Sequence, residues 1–307
     1  MITVLAGGTG SVKLVRGLAR LAKEMTVISN VGDNIWLYGL YVCPDIDTIV
    51  YGLAGLLDVQ RGWGIKGDSF NCLAQLKKLG APTWFSLGDL DIATHLLRTN
   101  MVKAGKSLSE ITDFVRDRYS ISAKIIPATD SEVTTRIATP KGETHLQEFW
   151  VKNKGLPKVT GVRYAGADRA VASPGAIDAI RKSDMIIVAP ANPVSSVGPI
   201  IAVPDLRKEL ANNRHKVVAV SPLIGEKAVS GPAVKYMKAL GIENSPFGVA
   251  RYYRDFVGTF VISKSDHYMA ARIETLDMQV YETNITMKTR HDEVKLGRYI
   301  LSKVERR

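Results

Sequence analysis

The chain has 307 residues, 46% of them apolar and 23% charged, the balance of a globular protein that buries a full core without staples. Disorder, collagen and coiled coil are excluded. Lysine and arginine number 41 against 30 acids, a net charge of +11 that favours anionic partners.

Residues 2–5 are apolar and read as a first strand, with neither the charged leader nor the cleavage site of a signal peptide. Leu14, Val15, Leu18, Leu21 and Ala22 then recur at helical spacing, with Lys13, Arg16, Arg20 and Lys23 on the opposite face. Residues 26–29 read as a second strand, and 48–57 as a second helix through Ile49, Val50, Leu53, Leu56 and Leu57. Residues 83–86 read as a third strand. Ser107-Leu108-Ser109-Glu110 is a capping box that opens a helix through Phe114 and Tyr119. Residues 133–138 and 144–151 read as two strands joined by Pro140-Lys141-Gly142-Glu143. The apolar stretch 185–203 is broken by Pro190, Asn192, Pro193 and Pro199, so it reads as a strand and loop and not as a membrane span. Strands at 217–220 and 259–263 follow.

Continuous apolar strands alternating with helices predict a doubly wound, mostly parallel α/β sheet. The break in rhythm predicts a main unit of residues 1–100 and 166–307 with a smaller α+β insertion at 101–165. Cys43 and Cys72 form no CxxC pair and are expected as buried, reduced thiols of a cytoplasmic protein. The five histidines show no zinc spacing, and no nucleophile elbow occurs. There is no basic stripe interleaved with aromatics, so a phosphorylated small molecule is expected in preference to nucleic acid.

Ligands of such sheets bind beyond the carboxyl ends of the strands. Gly7-Gly8-Thr9-Gly10-Ser11-Val12-Lys13 stands at the first of these ends. Glycines there let a phosphate approach the backbone amides of a helix N-terminus; a tight turn without a ligand is the plainer alternative. The P-loop spacing is absent, and Lys13 occupies the third glycine of a dinucleotide fingerprint. At the second end, the Ser29-Asn30-Val31-Gly32-Asp33-Asn34 segment suits a turn. Asp45 and Asp47, two residues apart ahead of a helix, can share a divalent cation, or Asp47 can cap the helix. Gly88-Asp89-Leu90-Asp91 repeats the Asp-x-Asp pattern. Asn192, Ser195, Ser196 and Gly198 offer an amide, hydroxyls and bare backbone to a nucleotide, or form an Asn-Pro turn with serine capping.

Together, Gly7-Gly8-Thr9-Gly10, Cys43-Pro44-Asp45-Ile46-Asp47-Thr48, Gly88-Asp89-x-Asp91, Asn192-Pro193-x-Ser195-Ser196-x-Gly198-Pro199 and Gly231-Pro232-Ala233 resemble the 2-phospho-L-lactate transferase family over nearly the whole chain. Cys43 replaces a usual serine, and Glu226 stands where a second glycine is common. The resemblance implies a Rossmann-like fold, a homodimer, and transfer of phospholactate from lactyl-2-diphospho-5′-guanosine to the deazaflavin Fo, with Mg²⁺ required and GMP released. It implies nucleotide or phosphate binding by Gly8, Thr9, Gly10, Ser11, Lys13, Asn30, Asn192, Ser195, Ser196 and Gly198. Asp45, Thr48, Asp89 and Asp91 would lie by the deazaflavin, with Asp45 and Asp47 as metal ligands or proton acceptors. A related branch with the same glycine start binds nucleotide sugars without known turnover; it would leave the paired acids unused.

Overall fold

The computed structural model describes residues 1–229 and 233–304. Seven parallel strands form the central sheet: β1 (Ile2–Ala6), β2 (Met25–Ser29), β5 (Lys124–Pro127), β9 (Met185–Val188), β10 (Val217–Val220), β13 (Thr259–Ser263) and β14 (Gln279–Thr283). Their spatial order is β14-β13-β10-β9-β1-β2-β5. The five central strands are buried along their full length, as helices on both faces require. The chain leaves β1 in one direction for β2 and β5, and returns on its other side for β9. That reversal between β1 and β9 is where an open sheet leaves a crevice.

Among the helices are α1 (Gly8–Ala19), α2 (Pro44–Leu53), α3 (Asn71–Lys78), α4 (Asp89–Lys103), α5 (Leu108–Arg118), α6 (Ala176–Lys182), α7 (Gly198–Ile201), α8 (Pro204–Asn212), α9 (Ala233–Ala239), α10 (Pro246–Tyr252), α11 (Ala270–Glu274) and α12 (Arg290–Val304). Short hairpins β3 (Ile35–Leu37) with β4 (Leu40–Val42), and β11 (Leu223–Ile224) with β12 (Lys227–Ala228), sit above the strand ends. A small antiparallel sheet, β7-β6-β8, comes from β6 (Thr134–Thr139), β7 (Gly142–His145) and β8 (Gly161–Ala165).

Several expectations are revised. The segment 101–165 divides between two sheets: β5 joins the central one beside β2, and β6, β7 and β8 build the small one. Residues 83–86 form no strand. Trp84 and Phe85 instead pack with Leu37, Val42 and Leu87 in a separate apolar cluster under the β3–β4 hairpin, a fate that a short apolar run does not distinguish from a strand. The strand expected at 144–151 stops at His145, and a π-helix runs over Glu148–Lys152. The capping box at Ser107 and Glu110 forms as expected.

Arg16 does not lie on a solvated face. It is buried and paired with Glu293 of α12, Nε at 3.1 Å. The two helices meet at Gly17, where a Cβ would collide with the Glu293 carbonyl. On the far side of α1, Gly52 of α2 admits the Val12 side chain in the same way. Cys43 is buried as expected, its thiol pushed up to about 12 by that burial, whereas Cys72 is exposed. No helix among the described residues is long and apolar enough to cross a membrane.

Candidate functional site

The turn between β1 and α1 is closed by Ser11, whose Oγ accepts from the Gly7 amide and donates to the Gly7 carbonyl, both at 2.9 Å. Its hydroxyl is thereby used within the turn. Gly8 has φ +68°, a conformation that glycine adopts freely. Cβ atoms added at Gly7 and Gly8 would fall 2.7 and 3.0 Å from the Asp45 carboxylate. The turn and Asp45 are therefore in contact.

Helix α2 starts at Pro44, not at residue 48; proline's fixed φ suits the first helical position. Asp47 thus lies inside the first turn and does not cap it. Asp45 and Asp47 then face different neighbours. Asp45 shares an amide with Asp33: Asn30 Nδ2 lies 2.7 Å from Asp33 Oδ1, 2.8 Å from Asp45 Oδ2 and 3.2 Å from the Ser195 carbonyl. Gln147 Nε2 donates to Asp33 Oδ2 at 3.1 Å. His145, two residues earlier, accepts from the Gln147 amide through Nδ1, so Nε2 carries the hydrogen that reaches the Asn34 carbonyl at 3.1 Å. The small sheet in this way holds the Asp33 loop.

Neither Asp33 nor Asp45 has a cationic side chain within 4 Å among the described residues. Burial pushes Asp45 up to about 6, against the hydrogen bond from Asn30. Asp33 is raised well above the usual carboxylate range by burial and then by the charge of Asp45. Two such carboxylates share a proton or gather around a cation.

Asp47 is instead clamped by Arg98 of α4, through Nη1 at 3.0 Å and through Nη2. His95 lies between: Nδ1 is 3.1 Å from Arg98 Nη1, and Nε2 is 3.4 Å from Asp91 Oδ1. Tyr51 donates to that same oxygen at 2.7 Å. Burial alone would raise Asp91, but His95, Tyr51 and Arg98 together hold it below the usual range.

Two adjoining cavities open on these groups. One of about 180 Å³ is lined by Gly7–Gly10, Asp33, Asp45, Gln147, Trp150, Asn192, Ser195, Ser196 and Tyr236. The other, of about 270 Å³, takes in Thr48, Tyr51, Trp63, Phe85, Asp91 and His95. Gly8, Thr9, Asp45, Gln147 and Trp150 border both. Thr9 Oγ1 also donates to the Gly62 carbonyl at 3.1 Å, tying the loop of Trp63 over the turn.

Other expected residues lie elsewhere. Lys13 Nζ reaches the Met287 carbonyl at 3.1 Å and borders neither cavity. Asp89 accepts from Ser69, Asn71 and the Cys72 amide, which caps α3 and lowers it to about 2. Gly198 makes room for Tyr164, whose hydroxyl donates to the Val194 carbonyl at 2.6 Å. Thr48 borders the larger cavity, with its hydroxyl on the Pro44 carbonyl. Glu226 is exposed, and Gly231-Pro232 lies outside the described residues. Sequence reasoning missed Asp33, Gln147, His95, Arg98, Trp63, Trp150 and Tyr236. For Asp33 the signal was present in the Asn30–Asn34 segment, read there as a turn.

The family described as 2-phospho-L-lactate transferase CofD matches residues 2–302. The 2-phospho-L-lactate transferase of Methanocaldococcus jannaschii is 41% identical over 307 residues, 98% of this chain and 97% of its own. That of Methanopyrus kandleri is 40% identical, over 99% and 97%. The phosphoenolpyruvate transferase of Streptomyces coelicolor is 41% identical over 82% of this chain and 81% of its own. A crystal structure of a UPF0052 family member from Bacillus halodurans superposes with a TM-score of 0.65, covering 98% of both chains at 17% identity; at that identity the likeness concerns the fold.

Proposed function

The chain belongs to the 2-phospho-L-lactate transferase family and is a transferase, and from that premise we propose that it moves a phospholactate unit from lactyl-2-diphospho-5′-guanosine to the deazaflavin Fo. The ribityl hydroxyl of Fo attacks the phosphorus that carries lactate, the bond from that phosphorus to the bridging oxygen breaks, and GMP leaves. The observation that carries this reading is the contact of Asp45 with the glycine turn at the seam of the two cavities.

Phosphoryl chemistry asks the protein mainly for alignment and charge neutralisation. In this reading the smaller cavity takes the diphosphate, against the amides of Gly8–Gly10 and the loop of Asn192, Ser195 and Ser196. The larger cavity, walled by Trp63, Trp150 and Phe85, gives a flat ring the stacking surfaces it needs. Asp45, ionised at neutral pH, accepts the proton of the attacking hydroxyl.

A magnesium ion fits the residues present: two buried carboxylates without a cationic partner are hard oxygen ligands in one cavity. Asp45 and Asp33 would hold it, and Asp47 is the weaker candidate because Arg98 already meets its charge. No cluster of three or more ligating side chains occurs among the described residues, in keeping with an ion that completes its shell with water and phosphate. The ion would supply charge neutralisation on the diphosphate.

The test is mass spectrometry of the product from Fo, Mg²⁺ and each guanosine-linked substrate. Phospholactyl-Fo with GMP is the expected result; turnover with the enolpyruvyl compound alone would assign the chain the specificity named for the Streptomyces relative. The homodimer and a cytoplasmic location belong to the same proposal, the former checked by light scattering.

A further inference from the structure

Two buried hydrogen-bond donors in the wall of the smaller cavity have nothing to donate to. Tyr236 of α9 is 0% exposed, and its hydroxyl has no partner among the described residues. Asn192 commits Oδ1 to the Val194 and Ser195 amides at 3.0 and 3.2 Å, while its Nδ2 has no partner among the described residues. A dry, unpaired polar group costs on the order of 1–3 kcal/mol, so folded proteins rarely keep one without use.

The tyrosine is not adrift. Its ring packs against Phe149 with centroids 5.9 Å apart, and the neighbouring Lys235 ammonium is bonded to the Gly155 and Leu156 carbonyls. Those contacts fix α9 against the π-helix that carries Trp150, and Tyr236 lines the smaller cavity together with Asp33, whose charge its phenol feels, and Asp45. Burial and the charge of Asp33 keep the phenol protonated. The Asn192 Nδ2 can only donate and the Tyr236 hydroxyl can donate as well, so a ligand rich in acceptor oxygens satisfies both. The cavity that holds them is bordered by the bare amides of the glycine turn, whereas the aromatic walls belong mostly to its neighbour.

We infer that Tyr236 is a substrate-binding residue, its hydroxyl and the Asn192 amide donating hydrogen bonds to the diphosphate oxygens of the guanosine-linked substrate. The inference rests on the transferase reading given above and adds to it a residue on α9, far in sequence from the glycine turn.

The experiment compares full-length wild type with Tyr236→Phe, which keeps the ring and removes one oxygen. Calorimetry with Mg²⁺ measures the affinity for GDP and, separately, for inorganic pyrophosphate; thermal melts follow the ligand-free proteins. The expected result is a loss of about tenfold for both probes, the worth of one hydrogen bond to a charged group. The ligand-free melting temperature should stay the same or rise, because the deleted oxygen had no partner. In steady state, KM for the guanosine-linked substrate should rise about tenfold with KM for Fo unchanged. Unaltered affinity for both probes overturns the inference and leaves the transferase reading standing. A lowered ligand-free melting temperature overturns it too, since the hydroxyl would then have a structural partner. Loss confined to GDP moves Tyr236 to the nucleoside and overturns the diphosphate assignment. A wild type that binds neither probe overturns the reading and the inference together.

Discussion

Gly7 and Asp45 touch: a Cβ on Gly7 would lie 2.7 Å from Asp45 Oδ2, closer than a Cβ carbon approaches another heavy atom. Gly7→Ala therefore has to displace the carboxylate or the turn. Turnover should fall at least about a hundredfold, because small misplacements at a reacting centre are costly. Since Gly7 sits in extended backbone, φ −156°, the fold should survive. Initial rates alongside circular dichroism separate the two effects.

Asp45→Asn keeps the shape and removes the charge. On the proposed mechanism kcat should drop by on the order of a hundredfold or more, with the affinity for Fo altered far less. Single-turnover rates at saturating substrate check this; wild-type rates would remove Asp45 from the chemistry.

The Asp33–Asp45 pair makes a signed prediction about pH. Both acids titrate higher in the folded protein than in the unfolded chain. Their contribution to stability is therefore complete below about pH 4, where the unfolded groups are protonated, and is lost as pH rises, through about 6 for Asp45 and through the raised range of Asp33. Without metal, acidification from pH 7.5 to 5 should stabilise wild type relative to Asp33→Asn. At pH 7.5 the variant should be the more stable by on the order of 1–2 kcal/mol. Denaturant melts of both proteins across that range, in chelator, measure the difference.

Arg98 and Asp47 form a buried pair with 2% and 5% of their side chains exposed. Arg98→Met leaves an uncompensated acid in the core and should cost about 3–5 kcal/mol. Arg98→Met with Asp47→Leu should recover most of that loss, because a well-packed apolar pair commonly replaces a buried ionic one. Urea midpoints for the single and double variants decide it.

The central strands were legible because burial on both faces writes itself as unbroken apolar runs, as in residues 185–188 and 217–220. The same signal misled at 83–86, where Trp84 and Phe85 satisfy their burial in a side cluster that needs no ladder. Arg16 looked solvated because its partner, Glu293, lies 277 residues further on. Within the site, Asp45, the glycine turn and the Asn192 loop stood out because their chemistry is local in sequence. Asp33 gathers meaning only from Asn30, Asp45 and Gln147 folding around it. Asp89 and Gly198 carried a motif's appearance, but a helix cap and the room for Tyr164 account for them.

Helix α1 is braced from behind by α12, through Gly17 and the Arg16–Glu293 pair. Every described residue bordering the two cavities lies before residue 240, yet that brace comes from 290–304. During synthesis the ribosome thus delivers the described cavity-lining residues well before it delivers the support behind the glycine turn, so that turn gains its backing only once residues 290–304 have been made.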